Sequence, residues 1–228
     1  MQENEIENKI IRRFDEFSHI FLEEIDLSDF RIKKILKFLG KPSDGKILDV
    51  GCGKGRFCRK IKDFGFINII GVEPSKELIK AARKNNKDIE FVQASAGNLP
   101  FMDDEFDFLI CIEVLSQIPN TEKSIKEMAR VLKRNGEIII IDKNKASIHP
   151  KFFLPLMFFK KYMEISNKWF YPRDFQFREK WFFPWEIEKM LKKYCRKTEK
   201  EYLMDNKRKM FGFLPFLNLF IAWRGIKQ

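Results

Sequence analysis

The sequence predicts a doubly wound α/β domain, a mostly parallel sheet covered by helices on both faces. Three observations predict it. From Lys46 onward, short β-branched runs alternate with polar stretches of helical spacing. Those runs are apolar throughout, as strands buried on both faces must be. The first of them leads directly into a glycine-rich turn that opens a helix, LDVGCGKGRF at 48–57. A chain of 228 residues is long enough for one such domain with a full core.

The elements follow in order. In residues 5–25, Ile6, Ile10, Phe14, Phe17 and Phe21 recur at spacings of three and four, which predicts one amphipathic helix. A second helix is expected from Ser28 as N-cap through RIKKILKFL to Gly40, with Pro42 beyond it. Strands are expected at 46–50 (KILDV), 67–72 (INIIGV), 89–93 (IEFVQ), 106–112 (FDFLICI) and 137–142 (EIIIID). The intervening helices are RFCRKIKDF, SKELIKAARKN and TEKSIKEMARVLKR, the last with Asn135-Gly136 as its C-cap. After Asp142 the alternation stops. Residues 143–183 are aromatic and basic, carry prolines at 150, 155 and 172, and read as a cap inserted over the sheet. A helix starting at Pro184 and two closing strands near 198–204 and 213–223 complete the chain. The expected organisation is a single domain, 1–228: N-terminal helices (1–42), a ligand-binding core (43–142), the cap (143–183) and a closing helix and strands (184–228).

Charge is unevenly distributed. Residues 1–142 hold 24 Lys and Arg against 25 Asp and Glu, whereas residues 143–228 hold 20 against 8. The whole excess of +11 lies in the last third, together with all four tryptophans and thirteen of the 25 phenylalanines. The four cysteines, Cys52, Cys58, Cys111 and Cys195, form no CxxC pair and no zinc spacing, so reduced thiols and no metal site are expected. The polar, acidic start MQENEIENKI lacks the pattern of an export signal, and a cytoplasmic protein is the expectation. The longest apolar stretch, thirteen residues at 211–223 with an internal proline, is shorter than the roughly 20 residues that span a bilayer.

In an open α/β sheet, ligands bind at the carboxyl ends of the strands, where the glycine turn falls. A dinucleotide fingerprint would need GxGxxG, but the third glycine of that pattern would stand at position 56, which is Arg56. The glycines are instead Gly51, Gly53 and Gly55, and Asp49 precedes them. A carboxylate beside the turn opposes a diphosphate and favours a cationic ligand.

Asp49, Gly51, Gly53 and Gly55 form a DxGxGxG pattern that resembles motif I of the class I S-adenosylmethionine-dependent methyltransferases. IIGVEPS, FVQASAGNLPFMDDEFDFLICIEVLSQIPN and EMARVLKRNGEIIIID resemble that family's later motifs in the same order, over about residues 45–142. The layout is similar to the methyltransferase type 11 group that includes quinone-biosynthesis enzymes. The resemblance implies a Rossmann-like sheet of seven strands in the order 3-2-1-4-5-7-6 with one strand antiparallel. It implies S-adenosyl-L-methionine as cofactor, S-adenosyl-L-homocysteine as product, and methyl transfer as the activity. The implied cofactor residues are Asp49, Gly51, Cys52, Gly53, Gly55, Glu73, Pro74, Ser95, Ala96 and Cys111. Among them Glu73 is expected to hold the two ribose hydroxyls, since two acceptor oxygens match two vicinal donors.

Two positions depart from the family pattern. Ser95 stands where many members have an aspartate for the adenine amine, leaving an uncharged hydroxyl there and the Ala96 amide beside it. Ser116 and Gln117 stand where many relatives have a Glu-His pair, so no histidine role carries over to that turn. The catalytic candidates are His19 and His149, the only histidines, and Glu113 just past the fourth strand. Each also has an ordinary structural reading. The aromatic, basic cap has several readings: simple packing over the sheet, a wall for a small-molecule acceptor of apolar or amphiphilic character, or a face for peripheral contact with anionic membrane. Clusters such as 158–162 and 206–209 would serve the last. Nucleic acid is the less favoured partner, because no RNA-binding module accompanies the charge; the alternative functions are an RNA or protein methyltransferase that docks through the basic last third, and a non-catalytic protein that binds the cofactor.

Overall fold

The computed structural model describes residues 3–147, 180–203 and 219–228. Seven strands form one sheet in the order β3-β2-β1-β4-β5-β7-β6. In chain order they are β1 (Ile47–Val50), β2 (Ile69–Val72), β3 (Glu90–Val92), β4 (Phe106–Ile112), β5 (Leu132–Lys143), β6 (Cys195–Leu203) and β7 (Phe220–Lys227). β7 runs antiparallel to both β5 and β6, and the pairings among β1 to β5 are parallel. The order and the single reversed strand are those implied by the resemblance. Most of the cap and its 158–162 cluster, His149, and the 206–209 cluster lie outside the described residues.

The helices are α1 (Glu3–Glu16), α2 (Phe30–Leu39), α3 (Arg56–Asp63), α4 (Lys76–Asn85), α5 (Thr121–Val131) and α6 (Pro184–Leu191). The four consecutive isoleucines of β5 explain why both faces need cover. Ile138 and Ile140 join Leu48, Val50, Leu109 and Ile125 in one apolar layer, while Ile139 and Ile141 join Ile32, Ile35, Ile47 and Ile61 in the other. Trp223 is fully buried in the first layer, and its indole N–H donates to the Pro184 carbonyl at 2.8 Å, which ties β7 to the start of α6.

Several boundaries differ from expectation. The stripe over 5–25 is not one helix: α1 ends at Glu16, and a single 3-10 turn follows at Ser18–Ile20. The Phe14 and Phe21 rings lie 5.5 Å apart, whereas seven residues of continuous helix would separate them by about 10 Å along the axis, so the aromatic contact requires the chain to leave the helix. The N-cap of α2 is Asp29, not Ser28, because the Asp29 carboxylate accepts from the Arg31 amide at 2.8 Å. α5 ends at Val131, and Asn135-Gly136 is not its cap. Leu132 already pairs with Phe106, and the next pair is Glu137 with Phe108, so 133–136 bulge out of the ladder with Asn135 at a φ of 61°. β7 begins at Phe220 and continues past Trp223, held by Arg224, whose Nε donates to Glu137 at 2.8 Å.

Candidate functional site

The carboxyl ends of β1, β2, β3 and β4 meet where the strand order reverses between β1 and β4, and the loops after them carry the expected residues. The 51–55 turn follows β1 with Gly51, Gly53 and Gly55 all at positive φ. Their reasons for being glycine differ. A Cβ on Gly51 would overlap the Val114 side chain, and one on Gly55 would meet the Phe91 ring at 2.7 Å. A Cβ on Gly53 would meet nothing within 4 Å, so this glycine, at φ 55°, is the one that leaves the backbone bare toward open space. Gly51→Ala is expected to destabilise the fold by about 2–4 kcal/mol through the strained φ and the overlap. A denaturation midpoint checks this, and Val114→Ala in the same chain should recover only part of the loss.

Glu73 lies just beyond β2, 6% exposed. Its Oε2 accepts from the Gly53 amide at 3.1 Å and its Oε1 from the Ser75 amide at 3.0 Å. Each oxygen therefore has one backbone donor and keeps a lone pair for another. Asp49 sits beneath the turn at 1% exposure, with the Cys58 thiol donating to Oδ2 at 3.1 Å. Burial pushes the Asp49 carboxyl up to about 7, against the Cys58 bond and the charge of Arg56. Burial likewise pushes Glu73 up to about 7, offset by the two amides. A third buried carboxylate, Asp142 at the end of β5, accepts from the Ser116 and Lys143 amides at 3.0 and 2.8 Å, and burial raises it to about 7 as well. Asp49 and Glu73, both buried at the glycine turn, give this end of the site two carboxylates that suit a cation.

The other expected residues divide. Pro74 follows Glu73, and its carbonyl accepts from Gln93 at 3.1 Å, which links the ends of β2 and β3. Ser95 and Ala96 lie just past β3, where the Ser95 hydroxyl accepts from the Gly97 amide at 3.1 Å. Cys52 is buried beside Gly71, and burial raises its thiol to about 11. Cys111 is sealed in the core beside Val50, with burial holding its thiol well above the ordinary range; both thiols are packing groups.

Glu113 takes a φ of 57° as the chain leaves β4 and is engaged by the Arg31 guanidinium of α2, with the Lys143 ammonium 4.0 Å away. His19 lines a cavity of about 220 Å³ together with Lys54 of the glycine turn and Glu77, Lys80 and Lys84 of α4. Arg31, Asp142 and Lys143 join this end of the sheet without having been singled out from sequence. Only the EIIIID run, whose acid ends an otherwise apolar strand, carried a signal for one of them.

Fold and site together define a Rossmann-like domain with a bare glycine turn and buried carboxylates at the carboxyl ends of its strands. A family profile for a methyltransferase domain matches residues 48–140. A demethylmenaquinone methyltransferase of Staphylococcus saprophyticus is 31% identical over 143 residues, which is 60% of this chain and 61% of that protein. An uncharacterized protein of Methanocaldococcus jannaschii is 40% identical over 128 residues, 56% of this chain and 54% of the relative. The chain spans about half the length of the curated relatives it matches. Among solved structures, a Pyrococcus horikoshii protein superposes with a TM-score of 0.66 at 22% identity, covering 94% of this chain and all of that one. A Thermotoga maritima S-adenosylmethionine-dependent methyltransferase, a possible histamine N-methyltransferase, gives 0.63 at 22% identity, covering 96% and 100%. Over residues 48–140 the chain matches the methyltransferase-domain family, and its fold is the one shared by S-adenosylmethionine-dependent methyltransferases of known structure. Among the described residues no helix is long and apolar enough to cross a membrane.

Proposed function

We propose that the protein transfers a methyl group from S-adenosylmethionine to a small-molecule or lipid-like acceptor. The observation that carries this reading is the pairing of a bare glycine turn with buried carboxylates. Glu73 is tied to the Gly53 amide with lone pairs left over, and Asp49 lies beneath the turn. This set suits a ligand with vicinal hydroxyls and a positive charge and opposes one with phosphates. When bound, the cofactor supplies a methyl on a sulfonium, whose leaving thioether is neutral.

In this reading Glu73 holds the ribose diol, the Gly53 segment lets the backbone come close to the methionyl part, and Asp49 contributes negative potential from below. The residues past β4 and β5 then face the acceptor side, where Arg31 and Lys143 hold Glu113 in place. What such a site does for the reaction is to align acceptor, methyl and sulfur and to exclude water. The demethylmenaquinone methyltransferases among the relatives support an apolar, ring-bearing small molecule as the acceptor class.

Calorimetry with S-adenosylmethionine, followed by a metabolite panel scored by release of S-adenosylhomocysteine, tests the proposal. Binding with turnover on a quinol-like or other small acceptor is the expected result. Absence of cofactor binding would refute the reading.

A further inference from the structure

We infer that Glu7, on the N-terminal helix, is a cofactor-binding residue: its carboxylate recognises the exocyclic amine of the adenine ring. The inference rests on the cofactor reading above.

The topology sets the direction of an extended adenosyl ligand along the carboxyl edge. With the methionyl part at the turn after β1 and the ribose at Glu73 after β2, the base must project toward the end of the next strand, β3. The residues waiting there are Ser95 and Ala96. The Ser95 hydroxyl by itself is a poor receiver for an amine. It already accepts from the Gly97 amide at 3.1 Å, and its one hydrogen is given to the Glu7 carboxylate of α1. A full negative charge is therefore brought to this point from 88 residues away, by a helix and not by the loop itself.

α1 is fixed there by a second contact. Eight residues on, Asp15 Oδ1 accepts from the Ser75 hydroxyl at 2.6 Å and from the Glu77 amide at 3.0 Å. Eight residues of helix span about 12 Å, so α1 bridges from the start of α4, beside Glu73, to the Ser95 loop. Glu7 is half-buried, and a carboxylate has about four lone-pair sites, of which Ser95 takes one. The adenine amine has two hydrogens to give and accepts none, so carboxylate and amine are complementary.

Binding of S-adenosylhomocysteine and of its inosine counterpart, in which a carbonyl oxygen replaces the amine, tests this by calorimetry on the full chain. The wild-type protein should bind the adenine form about tenfold more tightly, the scale of one hydrogen bond to a charged group. Glu7→Ala should weaken the adenine form by about that factor and leave the inosine form unchanged or somewhat tighter, since its carbonyl oxygen no longer faces a carboxylate, closing the gap. A role in helix docking alone would weaken both ligands equally. Equal weakening, unchanged discrimination, or tighter binding of the adenine form by the variant would each overturn the assignment of Glu7 while leaving the methyltransferase reading intact. A wild-type protein that binds neither ligand would overturn both.

Discussion

Glu73→Ala is expected to weaken S-adenosylmethionine binding by on the order of a hundredfold, from the loss of two hydrogen bonds to a charged acceptor. Both carboxylate oxygens are already oriented, Oε2 by the Gly53 amide and Oε1 by the Ser75 amide, so the group needs no rearrangement to receive a diol. Glu73→Gln should lose less, about tenfold, since it keeps one acceptor oxygen and the shape of the side chain. The substitutions also remove a partner from buried amides, so each titration should be accompanied by a thermal midpoint to show that the variant is folded. Calorimetric affinities close to wild type for Glu73→Ala would sink the site assignment.

Cofactor affinity should rise with pH between about 6 and 8, by about tenfold for each carboxylate that must ionise to bind. The sign follows from the buried acids. Burial raises Asp49 and Glu73 from ordinary carboxylate values to about 7, so the ligand-free protein holds protons there at pH 6. A sulfonium favours the ionised forms, so binding at pH 6 must release protons and pay for doing so. S-adenosylhomocysteine, lacking the sulfonium charge, should show a shallower dependence. Proton release is measured by calorimetry in buffers of different ionisation enthalpy, and Asp49→Asn should flatten the profile. A pH-independent affinity would show that neither acid changes its protonation on binding.

The same shift bears on stability in the opposite direction. A folded-state value of about 7 lies above the unfolded one for both acids, so their contribution is fully present below about pH 4 and is lost as pH rises through 7. The ligand-free protein should therefore melt lower at pH 8 than at pH 5.5 where these groups dominate, and saturating cofactor should narrow that difference.

The strands, their order of appearance and the glycine turn were legible because each rests on a local pattern. Four isoleucines in a row can only be a strand buried on both faces in a chain of this kind, and three glycines behind an acid form a short, countable signal. Glu73 was legible for the same reason, standing at the end of a recognisable β-branched run. Element ends were less legible. The helix before β5 had favourable residues through Arg134, yet it stopped at Val131 because Leu132 gains more by pairing with Phe106 in the ladder than by one further helical turn.

What only the tertiary structure decided are the contacts that span the chain. Nothing in local spacing joins Glu7 to Ser95, Asp15 to Ser75 or Arg31 to Glu113, pairs separated by 88, 60 and 82 positions. They exist because α1 reaches the residues that follow β2 and β3, and the start of α2 reaches the residue that follows β4, from distant parts of the chain. The near-neutral carboxylates belong to the same class, since the acid before the glycines was visible in the sequence but its proton affinity was not. That property comes from exclusion of water by the packed core around Asp49 and Glu73, which exists only once the chain has folded.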